Sequence, residues 1–185
     1  MITKLAVALV LGTLFSLLTG CRPSGSAINV GAPNPRTPGV NDRSSQRLEA
    51  CSLLTKSDAE SFLGEPVGAP ATTHTEAMGN IVTQCRYSAP SGSKRVGLLL
   101  RQASSIDEAA KIFRQARDTS KELSGADPQV IDGLGDSAYW IGGNLKQLNV
   151  LKGDAWLIIT ASPGDGTDQL EASKTISRRI LARAS

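Results

Sequence analysis

Residues 137–161 read SAYWIGGNLKQLNVLKGDAWLIITA, three apolar runs parted by two small clusters of glycine and polar residues. Ser137–Ile141, Leu145–Leu151 and Trp156–Ala161 are short and rich in β-branched and aromatic side chains, the composition of strands. The parting clusters, Gly142-Gly143-Asn144 and Lys152-Gly153-Asp154, are too short to hold a crossover. The three strands must therefore run antiparallel, as consecutive hairpins.

Upstream, Ser105-x-x-Glu108 opens a helix whose apolar positions Ala109, Ile112, Phe113, Ala116 and Leu123 recur at three and four. Glu108, Lys111, Arg114 and Asp118 take its opposite face. Before it lie strand-like segments at Ala71–Thr75, Val82–Tyr87 and Arg95–Gln102, divided by MGN and SAPSGS turns. A first helix over 56–63 starts at Thr55-Lys56-Ser57-Asp58 and stops at Gly64, ahead of Pro66. A last helix, Asp168–Arg183, buries Leu170, Ile176, Ile180 and Leu181, with acids at its start and Arg178, Arg179 and Arg183 near its end, as the helix dipole favours. Helix, three strands, helix, three strands, helix is an α+β order. It predicts one domain over 48–185, an antiparallel sheet with helices on one side, and a duplicated helix-plus-three-strand unit with a period of about 60 residues.

The N-terminus reads differently. Lys4 precedes an uncharged run, Leu5–Leu18, that is shorter than the roughly 20 apolar residues of a membrane-spanning helix and matches a secretory signal core. The run closes on Leu18-Thr19-Gly20-Cys21, which resembles the lipobox of bacterial lipoproteins at all four positions. The resemblance implies a signal peptide over 1–20, cleavage before Cys21, a diacylglycerol on its thiol and acylation, with palmitate for example, of the new amino group. Two or more chains anchor stably where one does not, each buried methylene contributing ~0.8 kcal/mol. From Cys21 to Arg47 the chain is dense in Pro, Gly, Ser and Asn, with no apolar periodicity. Such a stretch reads as a flexible tether of roughly 25 residues, with a coil span on the order of 25–30 Å. The expected location is thus the outside of a bacterial membrane, held by lipid. Arg22 is not the aspartate that resembles an inner-membrane retention signal, so an outer membrane is compatible with it.

Export places the other two cysteines, Cys51 and Cys85, in an oxidising compartment, and with Cys21 lipidated they form an even pair suited to a disulfide. The segments CSLLTKSDAESFLGEPV (51–67), CRY (85–87), GLGDSAYW (133–140) and LKGDAWLIIT (151–160) together resemble a group of uncharacterised exported lipoproteins, best known from actinobacteria. Members begin the folded part with C-S-L-L-T and a short helix, and carry C-x-Y and G-L-G-D-x-A segments. The resemblance covers most of 51–183. It implies the Cys51–Cys85 bridge and an α+β fold, and no activity.

Composition narrows the chemistry. With 40% hydrophobic residues, 20% charged and a formal charge of +3, the chain is an ordinary globular one. Charges are interspersed and aromatics make up only 4%, which argues against nucleic-acid partners. His74 is the sole histidine, in a TTHTE strand where a surface position is expected, so multi-histidine metal sites are excluded and no metal or cofactor is expected. No G-x-S-x-G, G-x-x-x-x-G-K or G-x-G-x-x-G occurs. Gly135-Asp136-Ser137 resembles a hydrolase nucleophile block, but no histidine follows to activate the serine, and GLGD reads as a tight turn entering a strand. PGDGTD (163–168) lacks the alternating ligands of a calcium loop and reads as a cap for the last helix. Asp132, Asp136, Asp154 and Glu171 are the carboxylates whose convergence would make an acid-pair enzyme.

Tyr139 and Trp140 are adjacent on a strand and so face opposite ways. An exposed member of that pair is the candidate binding contact. The reading is a lipid-anchored cell-envelope protein without enzymatic activity, whose sheet presents a binding face to an envelope protein. Alternatives are a carrier of small apolar ligands, which requires a cavity, and an envelope hydrolase, which requires converging titratable groups.

Overall fold

The computed structural model describes residues 46–184, apart from 78 and 165. The signal peptide, Cys21 and the tether up to residue 45 lie outside the described residues. Seven strands form one antiparallel sheet: β1 (Ala71–Ala77), β2 (Asn80–Ser88), β3 (Arg95–Gln102), β4 (Gln129–Val130), β5 (Ser137–Ile141), β6 (Gln147–Lys152) and β7 (Ala155–Ser162). Their spatial order is β1-β2-β3-β7-β6-β5-β4. Two meanders therefore meet at the centre, where β3 and β7 pair in the register Leu98↔Ile159 and Leu100↔Leu157. The helices are α1 (Ala50–Leu53), α2 (Lys56–Leu63), α3 (Ile106–Ser124) and α4 (Gln169–Leu181).

The strand alternation decides the core. Along β7, buried and half-buried residues alternate without a break, and Ala155, Leu157 and Ile159 share a face with Val96, Leu98 and Leu100 of β3 and with Leu148 and Val150 of β6. Leu53 and Leu54 at the first helix, Ala59 and Leu63 of α2, and Ile176 and Ile180 of α4 close over that face. Each buried Leu or Ile there contributes about 1.5–3 kcal/mol relative to exposure.

The fold is α+β with an antiparallel sheet, but the expectation of helices on one side holds for α1, α2 and α4 only. Helix α3 crosses the opposite face, over β5, β6 and β7. Two constraints put it there. The chain leaves β3 in the middle of the sheet and must reach β4 at the far edge, so it passes over the strands between. The second face of those strands is apolar, with Tyr139, Ile141, Leu151 and Trp156, whereas on β2 and β3 it carries Gln84, Arg86 and Arg95. Phe113 of α3 meets Tyr139 edge-on at 4.8 Å and Trp156 at 6.1 Å between ring centroids, the offset geometry that aromatic quadrupoles favour. The duplicated unit is not established: the second meander adds a two-residue strand, β4, that the first lacks.

Local signals placed the helices. Thr55 and Asp58 cap α2 reciprocally, the Thr55 hydroxyl accepting from the Asp58 N–H and the Asp58 carboxylate from the Thr55 N–H. Ser105 accepts from Glu108 N–H at the start of α3, and Asp168 from Leu170 and Glu171 N–H at the start of α4. Cys51 and Cys85 form a disulfide that ties α1 to β2, with Cα atoms 5.0 Å apart.

Asp58 is also clasped by Arg183, whose guanidinium donates to Oδ1 at 3.1 Å and to the Leu53 carbonyl at 2.9 Å and lies 2.8 Å from Oδ2 as an ion pair. Burial by itself would raise the Asp58 pKa, but hydrogen bonds from Thr55 and Arg183 outweigh it and hold the carboxyl below its ordinary value. A carboxyl whose folded-state pKa is depressed stabilises the fold above its unfolded value near ~3.9 and loses that contribution as the pH falls through the folded value. Urea titrations from pH 7 to pH 2.5 are expected to show stability falling below about pH 4. In Asp58→Asn the loss is present already at neutral pH, at roughly 1–3 kcal/mol, and the acid limb is flatter. An unchanged acid limb in that variant would assign the effect to other carboxylates.

Candidate functional site, an open groove on the second face of the sheet

Helix α3 covers only part of its face, and the rest forms a groove of about 660 Å³. The floor is built by strand register. Leu99 lies opposite Ile158 on the β3–β7 pair and Gln84 opposite Leu99 on β2, so the three side chains form one row. The next row carries Arg86, Gly97 and Thr160, and the one after it Arg95 beside Ser162. Leu99, Ile158, Thr160 and Ser162 are half-buried, while Arg86 and Arg95 are exposed.

The second wall is the β5–β6 turn, which contributes Leu145 and Lys146. Its shape depends on Gly143, where φ is +57° and a Cβ would sit 2.3 Å from the Ser124 carbonyl oxygen at the end of α3. Only glycine permits that approach. The N–H groups of Leu145 and Lys146 donate to the Gly142 carbonyl, both at 3.3 Å, and Asn144 N–H to Ser124. Lys146 is thereby held at φ 49°, the one non-glycine with positive φ among the described residues. Such conformations persist where the surroundings impose them.

Among the described residues no carboxylate lines the groove. Arg86, Arg95 and Lys146 have no ion pair among the described residues, whereas Lys94, next to Arg95 in the chain, reaches Glu65 at 3.1 Å and the Leu63 carbonyl on the other side of the sheet. A smaller hollow of about 540 Å³ adjoins the groove, between the β5–β6 turn and the loop before α4, and Trp140 lines it.

Tyr139 does not serve as the exposed aromatic contact: α3 seals it at 1% exposure. Its hydroxyl has no partner among the described residues, and burial pushes its pKa far up. Trp140 faces the other way, as strand alternation requires, and is half-buried against the main core with one side on the smaller hollow. His74 is exposed on β1, 3.6 Å from the Glu49 carboxylate.

The four carboxylates that convergence would have made catalytic have separate surroundings. Asp136 accepts from Gly153 N–H at 2.6 Å and pairs with Lys152 at 3.2 Å. Asp154 accepts from Gln102, Glu171 pairs with Lys174, and Asp132 is exposed on its turn. The Gly153 N–H, against the opposing cost of burial, and Lys152 together lower the Asp136 pKa, so this group is ionised and occupied in stabilising the β6–β7 turn. GLGD is a turn entering β5, with Gly135 at φ +59° and its α-carbon pressed so close to the Leu151 carbonyl that a Cβ would lie 2.4 Å away. Among the described residues no three His, Cys, Asp or Glu side chains are grouped to hold a metal ion.

The fold thus defines a class: an antiparallel sheet buried by helices on one face and left partly open on the other. No protein-family model and no curated protein matches the chain. A solved structure, the extracellular domain of PknH from Mycobacterium tuberculosis, is similar in fold, with a TM-score of 0.53 and 13% identity over 73% of this chain and 94% of that one.

Proposed function

We propose that the protein is a lipid-anchored binding module of the bacterial cell envelope, facing away from the cytoplasm, that holds a ligand in the groove beside α3 and carries out no chemistry on it. The groove is the observation that carries the reading. It is a preformed concavity of ligand-binding size, its floor is half apolar and half polar, and the three cations around it have no counter-ion among the described residues. The lipobox sequence Leu18–Cys21 and the Cys51–Cys85 disulfide support an extracytoplasmic location, the latter because disulfides persist in oxidising compartments. No helix among the described residues is long and apolar enough to cross a membrane. The separate roles of Asp136, Asp154 and Glu171 support a binding rather than a hydrolytic role.

Native mass spectrometry tests this. Protein purified from membranes and mixed with an envelope extract is expected to acquire a bound species. Thr160→Trp, which fills the groove from its floor, is expected to acquire none while melting at the same temperature. Identical spectra for the two proteins would remove the groove from the account.

A further inference from the structure

Two arginines stand diagonally on neighbouring strands of the groove floor. Arg86 is opposite Gly97, and Arg95 precedes Gly97 by two residues on the same face. Diagonal neighbours of this kind have Cβ atoms roughly 7–8 Å apart, and like charges so placed repel unless something neutralises them. Some cations of the domain have counter-ions, as in Arg47–Glu76, Lys94–Glu65 and Lys152–Asp136. Here the domain supplies hydroxyls instead: Thr160 is opposite Gly97, and Ser162 opposite Arg95.

Gly97 is the key to the arrangement. A glycine inside a central strand weakens it and often marks close approach by another group. A Cβ at this position would lie 3.1 Å from Thr160 Oγ1 and 3.6 Å from Arg86 Cγ. The arginine stem and the threonine hydroxyl therefore lean over the glycine from both sides. A Cβ there would touch the arginine stem at ordinary contact distance and require the threonine hydroxyl to give by a few tenths of an ångström. Lys146 adds a third positive charge from the opposite wall, in the positive-φ turn that Gly143 makes. Next to this cationic end lies an apolar pad of Leu99, Ile158 and Leu145.

We propose that the groove binds an amphiphilic oxyanion, with one phosphate- or carboxylate-type head between Arg86 and Arg95, hydroxyls from Thr160 and Ser162, Lys146 at the rim, and a short apolar body on Leu99 and Ile158. The proposal rests on the groove being the ligand site and adds the chemistry of the ligand. Guanidinium groups suit the head because their planar forks donate in pairs to such oxyanions. The head is either that of a membrane lipid beneath the tethered domain or that of a free amphiphile.

The test uses the full-length lipidated protein in nanodiscs of zwitterionic lipid, titrated with hexyl phosphate, hexanol and inorganic phosphate. Hexyl phosphate is expected to bind more tightly than either half of it alone. The double variant Arg86→Gln/Arg95→Gln is expected to bind it at least tenfold more weakly with an unchanged melting temperature, since both side chains are exposed. Repeating the titration in discs containing anionic phospholipid separates the sources: weaker apparent binding there points to a lipid head competing for the site, and equal binding to a free amphiphile. Hexanol binding as tightly as hexyl phosphate, and lost in Thr160→Trp, would overturn the anion assignment while leaving the groove. Hexyl phosphate binding that Thr160→Trp leaves intact would overturn the groove itself. Equal binding by the double variant, or no binding of hexyl phosphate in either disc, would overturn the assignment.

Discussion

Replacing Cys21 with alanine, together with a signal that is cleaved without it, is expected to move the protein from the membrane fraction almost wholly into the soluble fraction of a fractionated cell. The resemblance of Leu18-Thr19-Gly20-Cys21 to a lipobox implies an acylated sulfur at the head of the mature chain. Diacylglycerol alone carries two acyl chains, and at ~0.8 kcal/mol for each buried methylene these bind a bilayer far more strongly than the marginal hold of a single chain. No helix among the described residues is long and apolar enough to cross a membrane. The melting temperature of the folded domain is expected to be unchanged. A Cys21→Ala protein that stays with the membrane would show that something other than lipid holds it there.

The second large effect is on stability. Removing the bridge, as Cys51→Ser/Cys85→Ser, is expected to lower unfolding free energy by about 3–4 kcal/mol, from the entropy regained by an unfolded chain no longer closed across the 34-residue separation. For a domain of this size that is a fall in melting temperature on the order of 10 °C. The serines add a second, smaller effect, since Cys85 is wholly buried and a hydroxyl there exchanges the sulfur's packing for a hydrogen bond to the Leu54 carbonyl. Cys51→Ala/Cys85→Ala separates the two contributions. A loss under about 1 kcal/mol in the alanine pair would mean that the unfolded chain is already compact around these residues.

How much of this was legible beforehand follows from which interactions are local. Thr55 with Asp58, Ser105 with Glu108 and Asp168 with Glu171 are contacts within one turn, and each marked the start of a helix in the sequence alone. The hairpins at residues 142–146 and 153–154 were equally plain, since their turns leave the strands no other direction. The β3–β7 pairing was not visible, because Arg95 and Ser162 are joined by nothing nearby in the chain. Nor was the side taken by α3: its apolar stripe shows that it packs but not against which face. That omission hid the fate of Tyr139. Alternation correctly set Tyr139 and Trp140 on opposite faces, and only the path of α3 shows that Tyr139 is the one sealed off. Strand β4, at two residues, carries too little pattern to detect. The groove was hidden for a related reason. Arg86, Arg95 and Lys146 each look like an ordinary solvated cation, and only the sheet gathers them along one groove, with no acid among the described residues that line it.

Strand β7 is the last of the seven to be synthesised, yet it lies at the middle of the sheet between β3 and β6. A chain emerging from its N-terminus first must therefore hold two half-sheets, each with a raw inner edge, until residues 155–162 arrive to knit them. Such long-range closure is slow, and the waiting edges are prone to stick to one another or to other chains. Vectorial folding is thus closed to this domain, and any product cut short before residue 155 should be an aggregating fragment rather than a smaller working protein.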